Sequence, residues 1–223
     1  MSRSSVRPLV FDLDGTLIDS RGDIAAACNH ALNSAGLPTL SVSQISAHVG
    51  NGARALLHGV LTELTDPPPA LDERTLFAAF QSYYLSHPTD YNAHLPGVET
   101  ALALRAGRPI ALCTNKPAHL TESVLGSLGW LDRFDSIVAP EPDDPVKPDP
   151  ALLLRVASEL RVAPSSLIMI GDGPQDIGAG HAVGAHTIGL KGGFLPLSRL
   201  IGAKPHVLLD SLLALPAYLQ SLD

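Results

Sequence analysis

Cysteine, basic residues and long apolar runs are scarce in this chain of 223 residues. The two cysteines, Cys28 and Cys113, are too few for a disulfide framework, so we expect two buried thiols in a reducing compartment. The 15 lysines and arginines against 22 acidic residues give a net charge of -7, which argues against nucleic acid as a partner. No apolar run approaches the ~20 residues that span a membrane, and we therefore expect no membrane partner and a cytoplasmic location.

Apolar residues are nevertheless plentiful enough for a proper core, at 45% of the chain. Residues 9–13 form a nearly continuous apolar run, as expected for a strand buried on both faces of a parallel sheet. After Pro96 and Gly97, short apolar runs alternate with helical patterns, which predicts an α/β fold with a doubly wound parallel sheet. The later strands are predicted at residues 109–113, 137–138, 167–170, 186–190 and 207–209.

The stretch after the first strand has helical patterns instead. A helix is predicted to begin at a capping box of Ser20 and Asp23 and to end at Gly36. Further helical patterns follow, broken at residues 50–52 and 67–69, with no convincing strand among them. Aromatic residues at helical spacing are expected to belong to the core of this helical part, namely Phe77, Phe80, Tyr83 and Tyr84.

These two patterns divide the chain into two predicted domains. An α/β core comprises residues 1–16 plus 94–223, and a helical cap of residues 17–93 is inserted after the first strand. A chain of this length can hold one large domain or, as here, one domain that carries a smaller insertion.

Two carboxylates follow the first apolar run, within residues 11–16. Asp12 and Asp14 are two residues apart, so an extended backbone would point both to the same side, and Gly15 lets the chain turn away. Two carboxylates in one small space repel each other unless a cation or a shared proton relieves them. The pair therefore suits a divalent metal beside a nucleophile.

Four polar clusters lie at or near predicted strand ends or helix starts, and open parallel sheets bind ligands outside the carboxyl ends of their strands. They are Asp12 with Asp14, residues 114–116, Lys147, and residues 171–176. Each alone is a weak signal, because Thr114 could be a helix cap, Lys147 could be solvated, and the two glycine-containing runs could be ordinary turns. Their joint order along the chain is much harder to obtain by accident.

In this order the clusters resemble the four motifs of the haloacid dehalogenase (HAD) superfamily of phosphotransferases, over nearly the whole chain. The resemblance implies that Asp12 attacks a phosphoryl group and forms an aspartyl-phosphate. It implies that Asp14 protonates the leaving alcohol and then activates the hydrolytic water. Thr114 would hold the phosphoryl oxygens, and Lys147 would offset the negative charge of the nucleophile and the transferring group.

The resemblance also implies a bound Mg²⁺. Its ligands would be the Asp12 carboxylate, the Asp14 carbonyl and Asp172, with Asp176 supporting them directly or from the next layer. Such oxygen-only sites suit Mg²⁺. Beside the metal, Asp12 should stay ionised, whereas Asp14 is expected to hold a proton. Gly173 departs from the pattern, because many relatives have a serine there, and this puts one outer hydrogen bond in doubt.

Two other chemistries of the superfamily are disfavoured. Its dehalogenases lack a counterpart of Asp14, because halide departure needs no proton. Its phosphonate-cleaving members use a lysine of the cap, and residues 17–93 contain none. A phosphatase fits better, with a cap that closes over the site on hinges near residues 17–20 and 91–96.

Beyond the motifs, the chain is most similar to the phosphoglycolate phosphatases. The similarity rests on residues 19–20, 23–27, 49–53, 95–98 and 114–117. It implies 2-phosphoglycolate as substrate, with Asn115 and Lys116 as further binding residues. A small carboxylate would be clamped by Arg54 or, as second candidate, Arg21, unless these are surface residues with ion pairs of their own.

Other functions are compatible with the same motifs. A sugar-phosphate phosphatase or a mutase of the β-phosphoglucomutase kind would use the same Asp12 and Asp14, and the mutase would return the phosphoryl group to a sugar. A non-catalytic module that binds a phosphorylated ligand would not need both aspartates. In each enzymatic case the partner is a small phosphorylated metabolite, and we expect a monomer or a small homo-oligomer.

Overall fold

The structure, a computed structural model, describes residues 6–64 and 72–222. The chain break predicted at residues 67–69 lies outside the described residues. The strands are β1 (Leu9–Phe11), β2 (Ile18–Asp19), β3 (Ala93–His94), β4 (Ile110–Cys113), β5 (Ser136–Val138), β6 (Ile168–Gly171), β7 (His186–Leu190) and β8 (Val207–Leu209).

Six of these strands form one parallel sheet in the order β5-β4-β1-β6-β7-β8. β1 lies inside the sheet, where Leu9 pairs with Ile110 of β4 and with Ile168 of β6. Leu9, Val10 and Phe11 are 0% exposed, as the continuous apolar run predicts for a strand covered on both faces. The carboxyl ends of β1, β4 and β6 therefore lie side by side, at the edge of the sheet where ligands bind.

Helices cover both faces of this sheet, which confirms the predicted doubly wound α/β fold. Because side chains alternate along a strand, Val10 belongs to the apolar cluster on one face, with Ala179, while Phe11 belongs to the cluster on the other face, with Leu102. The helices are α1 (Arg21–Ser34), α2 (Val42–Ser46), α3 (Ala53–Thr62), α4 (Glu73–Ser86), α5 (Val98–Ala103), α6 (Ala118–Leu128), α7 (Ala151–Leu160), α8 (Pro174–Ala182), α9 (Leu197–Gly202) and α10 (Leu215–Gln220).

The helices α1 to α4 come between β1 and β4 in the chain, where the sequence predicts a helical insertion. α1 packs against α2 and α4. α1 ends before Gly36, whose φ of 70° is left-handed, and the Leu37 N–H donates to the Leu32 carbonyl at 2.9 Å. Phe80 and Tyr84 of α4 are 2% and 0% exposed, so these members of the aromatic stripe belong to the core as predicted.

The two segments that connect this insertion to the sheet pair with each other. Ile18 pairs with His94 and Asp19 with Ala93, in an antiparallel ribbon of two short strands, β2 and β3. The sequence pattern does not predict this ribbon, because two residues are too few to show the alternation of a strand. The ribbon lies within the two segments proposed as hinges.

The capping box predicted at the start of α1 is wrong. The Ser20 hydroxyl makes no cap hydrogen bond and instead donates to Asp14 Oδ1 at 2.5 Å. The Asp23 carboxylate accepts from the Tyr91 N–H at 2.8 Å. Ser20 has φ −97° and ψ 10°, outside the extended region typical of an N-cap, so its oxygen accepts no bond from the helix, while its proton goes to the Asp14 carboxylate. Ser20 thereby becomes part of the surroundings of the predicted acid.

Two further expectations concern thiols and membranes. Cys28 and Cys113 are free and buried, as expected, and burial raises the pKa of each thiol to about 12. Within the described ranges, we find no helix with both the length and the apolar character needed to cross a bilayer.

A small histidine cluster lies at the opposite edge of the sheet, where β7 begins. His186 Nε2 is 2.9 Å from the Tyr218 hydroxyl oxygen, and its ring centroid is 4.6 Å from that of His206. Burial, followed by the charges of His206 and Arg7, lowers the pKa of His186 below its ordinary value of 6.5. As the pH falls below that value, the unfolded chain binds the proton more readily than the folded chain, and the folded state loses stability.

We therefore predict that acid destabilises the wild-type protein more than a His186→Gln variant. Between about pH 7 and about pH 5, the Tm of the wild type should fall further than that of the variant. Differential scanning calorimetry measures both values. His58→Gln, at an exposed histidine, is the matched control and should follow the wild type. Parallel falls in Tm for the wild type and His186→Gln would contradict the prediction.

Candidate active site

The carboxyl ends of β1, β4 and β6 open into one cleft. Asp12 follows β1, Thr114 follows β4, and Asp172 follows β6. The structure brings together residues from all four polar clusters of the sequence. Every predicted core residue of the site lines the cleft: Asp12, Asp14, Thr114, Asn115, Lys116, Lys147, Asp172 and Asp176.

Lys147 joins three of the chain segments that meet in the cleft. Its side chain is 1% exposed, and Nζ donates to Asp12 Oδ1 at 2.9 Å, to Asp176 Oδ1 at 2.7 Å and to the Cys113 carbonyl at 2.6 Å. An ammonium group has three donors, so all three are used. Burial alone would lower the pKa of Lys147, but Asp12 and Asp176 outweigh burial and raise it, so the lysine stays charged.

Three carboxylates converge next to this lysine. Oxygen atoms of Asp12, Asp172 and Asp176 all lie within 4.8 Å of one another. Asp172 is fixed from both sides, because the Thr16 hydroxyl donates to Oδ1 and the Phe194 N–H donates to Oδ2, each at 3.1 Å. These contacts fix the Asp172 carboxylate, after β6, next to that of Asp12, after β1. Asp12, Asp172 and Asp176 can therefore bind one cation together.

The cleft is short of positive charge. Four aspartates and two lysines line it, which amounts to a formal charge of -2 when all are ionised: Asp12, Asp14, Asp172 and Asp176 against Lys116 and Lys147. Burial and then the neighbouring carboxylates raise the pKa of Asp172 to about 8. Burial also raises the pKa of Asp12 to about 6, against the opposing charge of Lys147. A hard divalent cation would relieve both effects, and an oxygen-only donor set fits Mg²⁺.

Asp14 lines the cleft and pairs with Lys116. Lys116 Nζ donates to Asp14 Oδ2 at 2.9 Å and to Oδ1 at 3.2 Å, while the Ser20 hydroxyl donates to Oδ1. Burial would lower the pKa of Lys116, but Asp14 and the other neighbouring groups together have the larger effect, and the pKa of Lys116 is raised. The turn after Asp14 requires Gly15, whose φ is +83°, because a Cβ there would lie 2.5 Å from Asp172 Oδ2.

Asn115 connects the insertion, the sheet and Lys147. Its Nδ2 donates to the carbonyls of Gly50 and Lys147, and its Oδ1 accepts from the Lys147 N–H, all at 2.8 Å. Gln175 Nε2 donates to Asn51 Oδ1 at 3.0 Å. These contacts hold the loop of residues 50–52 at the rim of the cleft, so Asn115 has a positioning role besides any contact with substrate.

The glycine at position 173 makes room for this rim contact. A Cβ at Gly173 would lie 2.5 Å from Gln175 Oε1, and the Gly173 N–H donates to Asp176 Oδ2 at 3.0 Å. A serine at position 173, as in many relatives, would crowd Gln175, whereas Gly173 leaves room for the Gln175 side chain. No local sequence pattern assigns Gln175 a role, because its partner Asn51 is 124 residues away in the chain.

The two predicted arginines lie elsewhere, since neither is among the described residues that line the cleft. The Arg54 guanidinium lies 5.1 Å from the Phe77 ring centroid and borders a neighbouring cavity. Arg21 pairs with Asp19 at 2.5 Å and lies 5.4 Å from the Phe194 ring centroid. The insertion instead presents apolar side chains to the cleft, among them Ile24, Val49, Leu56 and Phe80.

Known proteins match most of this chain. A family model described as haloacid dehalogenase-like hydrolase matches residues 6–184, a span that includes the cleft residues from Asp12 to Asp176. A phosphoglycolate phosphatase of Cereibacter sphaeroides is 36% identical over 178 residues, which are 79% of this chain and 81% of that protein. A phosphoglycolate phosphatase of Chromobacterium violaceum is 34% identical over 204 residues, which are 90% and 91% of the two chains.

Solved structures match the fold. The crystal structure of a predicted phosphoglycolate phosphatase from Haemophilus somnus 129pt has a TM-score of 0.90 at 26% identity and covers 97% of this chain and 99% of that chain. CbbY from Rhodobacter sphaeroides, in complex with phosphate, has a TM-score of 0.78 at 21% identity and covers 93% and 95%. The second likeness concerns the fold alone.

We predict that the carboxylate cluster binds Mg²⁺ and releases protons when it does so. Because the pKa of Asp172 is about 8, part of this carboxyl group must ionise on binding, so the affinity should fall as the pH is lowered through that value. Isothermal titration calorimetry in buffers of different ionisation enthalpy measures both the number of protons released and the Kd for Mg²⁺. Asp172→Asn should weaken binding by ~10-fold or more. Asp210→Asn, at an exposed aspartate, should not. Equal affinities for the two variants would refute the site.

Proposed function

The chain belongs to the haloacid dehalogenase-like hydrolases, and on that premise we propose that it is a Mg²⁺-dependent phosphatase that hydrolyses 2-phosphoglycolate through an aspartyl-phosphate. The observation that carries the proposal is the position of Asp12. Its carboxylate lies in the cleft, is held at Oδ1 by Lys147 and lies beside Asp172 and Asp176. A carboxylate in contact with an ammonium, and next to a site for a divalent cation, is suited to attack an anionic phosphoryl group.

In the first step, Asp12 attacks phosphorus and the bond from phosphorus to the ester oxygen breaks. Lys147 holds Oδ1, so we assign the attack to Oδ2. Asp14 accepts hydrogen bonds from Lys116 and Ser20 in the structure, so in this proposal it takes up a proton before it gives one to the departing ester oxygen, which leaves as an alcohol. The products of this step are glycolate and a phosphoryl group bonded to Asp12.

In the second step, the same carboxyl group acts as a base. Asp14 accepts a proton from a water molecule that attacks the phosphoryl group on Asp12, and free phosphate leaves. Thr114 is buried, lines the same cleft as Asp12, and would orient the phosphoryl oxygens. Asp12, Asp172, Asp176 and the Asp14 carbonyl would hold Mg²⁺, whose charge would offset that of the phosphoryl oxygens throughout.

The insertion supports this chemistry by limiting water. Leu56 and Phe80 present apolar surface to the cleft, and Asn115 and Gln175 bind the loop of residues 50–52 at its rim. A lower local dielectric strengthens every charge interaction with the phosphoryl group. In this proposal residues 17–93 act as a cap over a core of residues 1–16 plus 94–223.

The substrate assignment has two supports. The curated relatives described above are phosphoglycolate phosphatases, and they match across about four-fifths or more of both chains. The cleft also contains a lysine, Lys116, that the phosphoryl chemistry does not use directly. We further propose that the enzyme acts on this small metabolite in the cytoplasm, without nucleic acid or membrane partners, as a monomer or a small homo-oligomer.

A panel of phosphate compounds with Mg²⁺ tests the proposal. We expect the highest kcat/KM for 2-phosphoglycolate, lower values for small sugar phosphates, and the lowest for pyrophosphate and nucleotides, by phosphate release. Activity should disappear in Asp12→Asn and on removal of divalent metal, because both the nucleophile and the counter-charge are needed.

Other outcomes would identify the alternatives. Preference for sugar phosphates would indicate a sugar-phosphate phosphatase, and isomerisation of β-glucose 1-phosphate would indicate a mutase. Preference for pyrophosphate or a nucleotide would contradict the substrate assignment but not the nucleophile. Absence of Mg²⁺-dependent turnover across the panel would contradict the enzymatic proposal and favour a binding module.

A further inference from the structure

Lys116 is a buried cation to which the two reaction steps above assign no role. It lines the cleft, its side chain is 5% exposed, and Nζ donates to both carboxylate oxygens of Asp14. Nζ also lies 4.6 Å from the centroid of the Tyr84 ring, which belongs to α4 of the insertion. Lys116 is thus placed between the residue assigned as the acid and an aromatic side chain that can hold a cation.

The other cations near the cleft are not available for a second anionic group. Lys147 uses all three of its donors on groups of the protein itself. Arg21 and Arg54 are not among the described residues that line the cleft. Within that described lining, Lys116 is the remaining cation, and both of its hydrogen bonds go to the single carboxylate of Asp14, so it retains more donor capacity for a substrate anion than Lys147 does.

The chemistry of the proposed substrate places a carboxylate near this ammonium group. In 2-phosphoglycolate, a single methylene separates the ester oxygen from the carboxylate carbon. When Asp14 gives a proton to the ester oxygen, that oxygen must lie at hydrogen-bond distance from an Asp14 oxygen. Lys116 Nζ is 2.9 Å from Asp14 Oδ2, so a carboxylate next to the ester oxygen comes within its reach.

We propose that Lys116 determines substrate specificity by binding a carboxylate adjacent to the phosphate ester. The inference rests on the proposed phosphatase function and extends it to the leaving group. A charge-assisted bond in a poorly hydrated cleft is strong, and the apolar side chains of Ile24, Leu56 and Phe80 offer a neutral leaving group no equivalent contact. We expect an anionic leaving group to be preferred over a neutral one of equal size by ~100-fold in kcat/KM.

The kinetic test compares 2-phosphoglycolate with 2-hydroxyethyl phosphate, in which a neutral alcohol replaces the carboxylate. The wild type should prefer the first by ~100-fold, and Lys116→Met should lose most of that preference. Lys204→Met, at an exposed lysine, is the matched control and should keep it. If Lys116→Met slows both substrates equally and keeps the preference, Lys116 serves Asp14 alone and the proposal is overturned.

A binding test separates this inference from the proposed reaction. Isothermal titration calorimetry with saturating Mg²⁺ compares 3-phosphonopropionate, a non-hydrolysable ligand with a carboxylate, with propylphosphonate, which lacks it. The wild type should bind the first more tightly, Lys116→Arg should keep part of the difference, and Lys116→Met should lose it. Equal Kd values in the wild type would overturn the inference even if Lys116→Met does not fold. Failure to release phosphate from either ester would refute the proposed function, while the calorimetric comparison would still decide the role of Lys116.

Discussion

The ammonium group of Lys147 lies between two carboxylates and a strand-end carbonyl, and the geometry of the site depends on this set of bonds. An isolated charge at 1% exposure would be strongly unfavourable. Asp12, Asp176 and the Cys113 carbonyl compensate for the lost water, each at 2.9 Å or less. Because Asn115 also binds the backbone of Lys147 on both its N–H and its carbonyl, the lysine is fixed in position as well as in charge.

The hydrogen bonds of Lys147 also explain why the neighbouring carboxylate cluster calls for a further cation. Lys147 neutralises one negative charge of the carboxylate cluster, yet Asp172 makes its hydrogen bonds to Thr16 and Phe194 and has no lysine of its own. Burial, and then the charges of Asp176 and Asp12, raise the pKa of Asp172. The two lysines bind different carboxylates: Lys147 binds Asp12, the nucleophile in the proposed reaction, and Lys116 binds Asp14, the proposed acid beside the leaving group.

The sequence predicted the sheet, and it predicted which polar residues lie together in the cleft, because both follow from a general property of parallel sheets. Apolar runs such as residues 9–11 identify buried strands, and polar residues directly after them must gather at one edge. Asp12, Thr114 and Asp172 could be located in this way without knowledge of the loops. The short ribbon of β2 and β3 was not predictable, since two residues carry no pattern.

Contacts between distant loops escaped prediction for a different reason. Ser20 has the spacing of a helix cap, yet its hydroxyl donates to Asp14 and accepts no bond from the helix, because its backbone lacks the extended conformation of an N-cap. Lys116 bonds Asp14 across 102 residues, a pairing that no local pattern reveals. Arg54 was proposed from its position next to the glycine loop, but sequence position does not determine which side of a helix faces a cleft, and its guanidinium lies over Phe77.

The most direct test of the central claim, that Asp12 is the nucleophile, is to look for phosphate on its side chain. Wild-type enzyme is mixed with Mg²⁺ and excess 2-phosphoglycolate, quenched with acid during turnover, and digested for peptide mass spectrometry. The account predicts one phosphoryl group on the peptide that contains Asp12 and none in an Asp12→Asn variant. Rapid phosphate release with that peptide unmodified, or with the phosphoryl group on another residue, would contradict it.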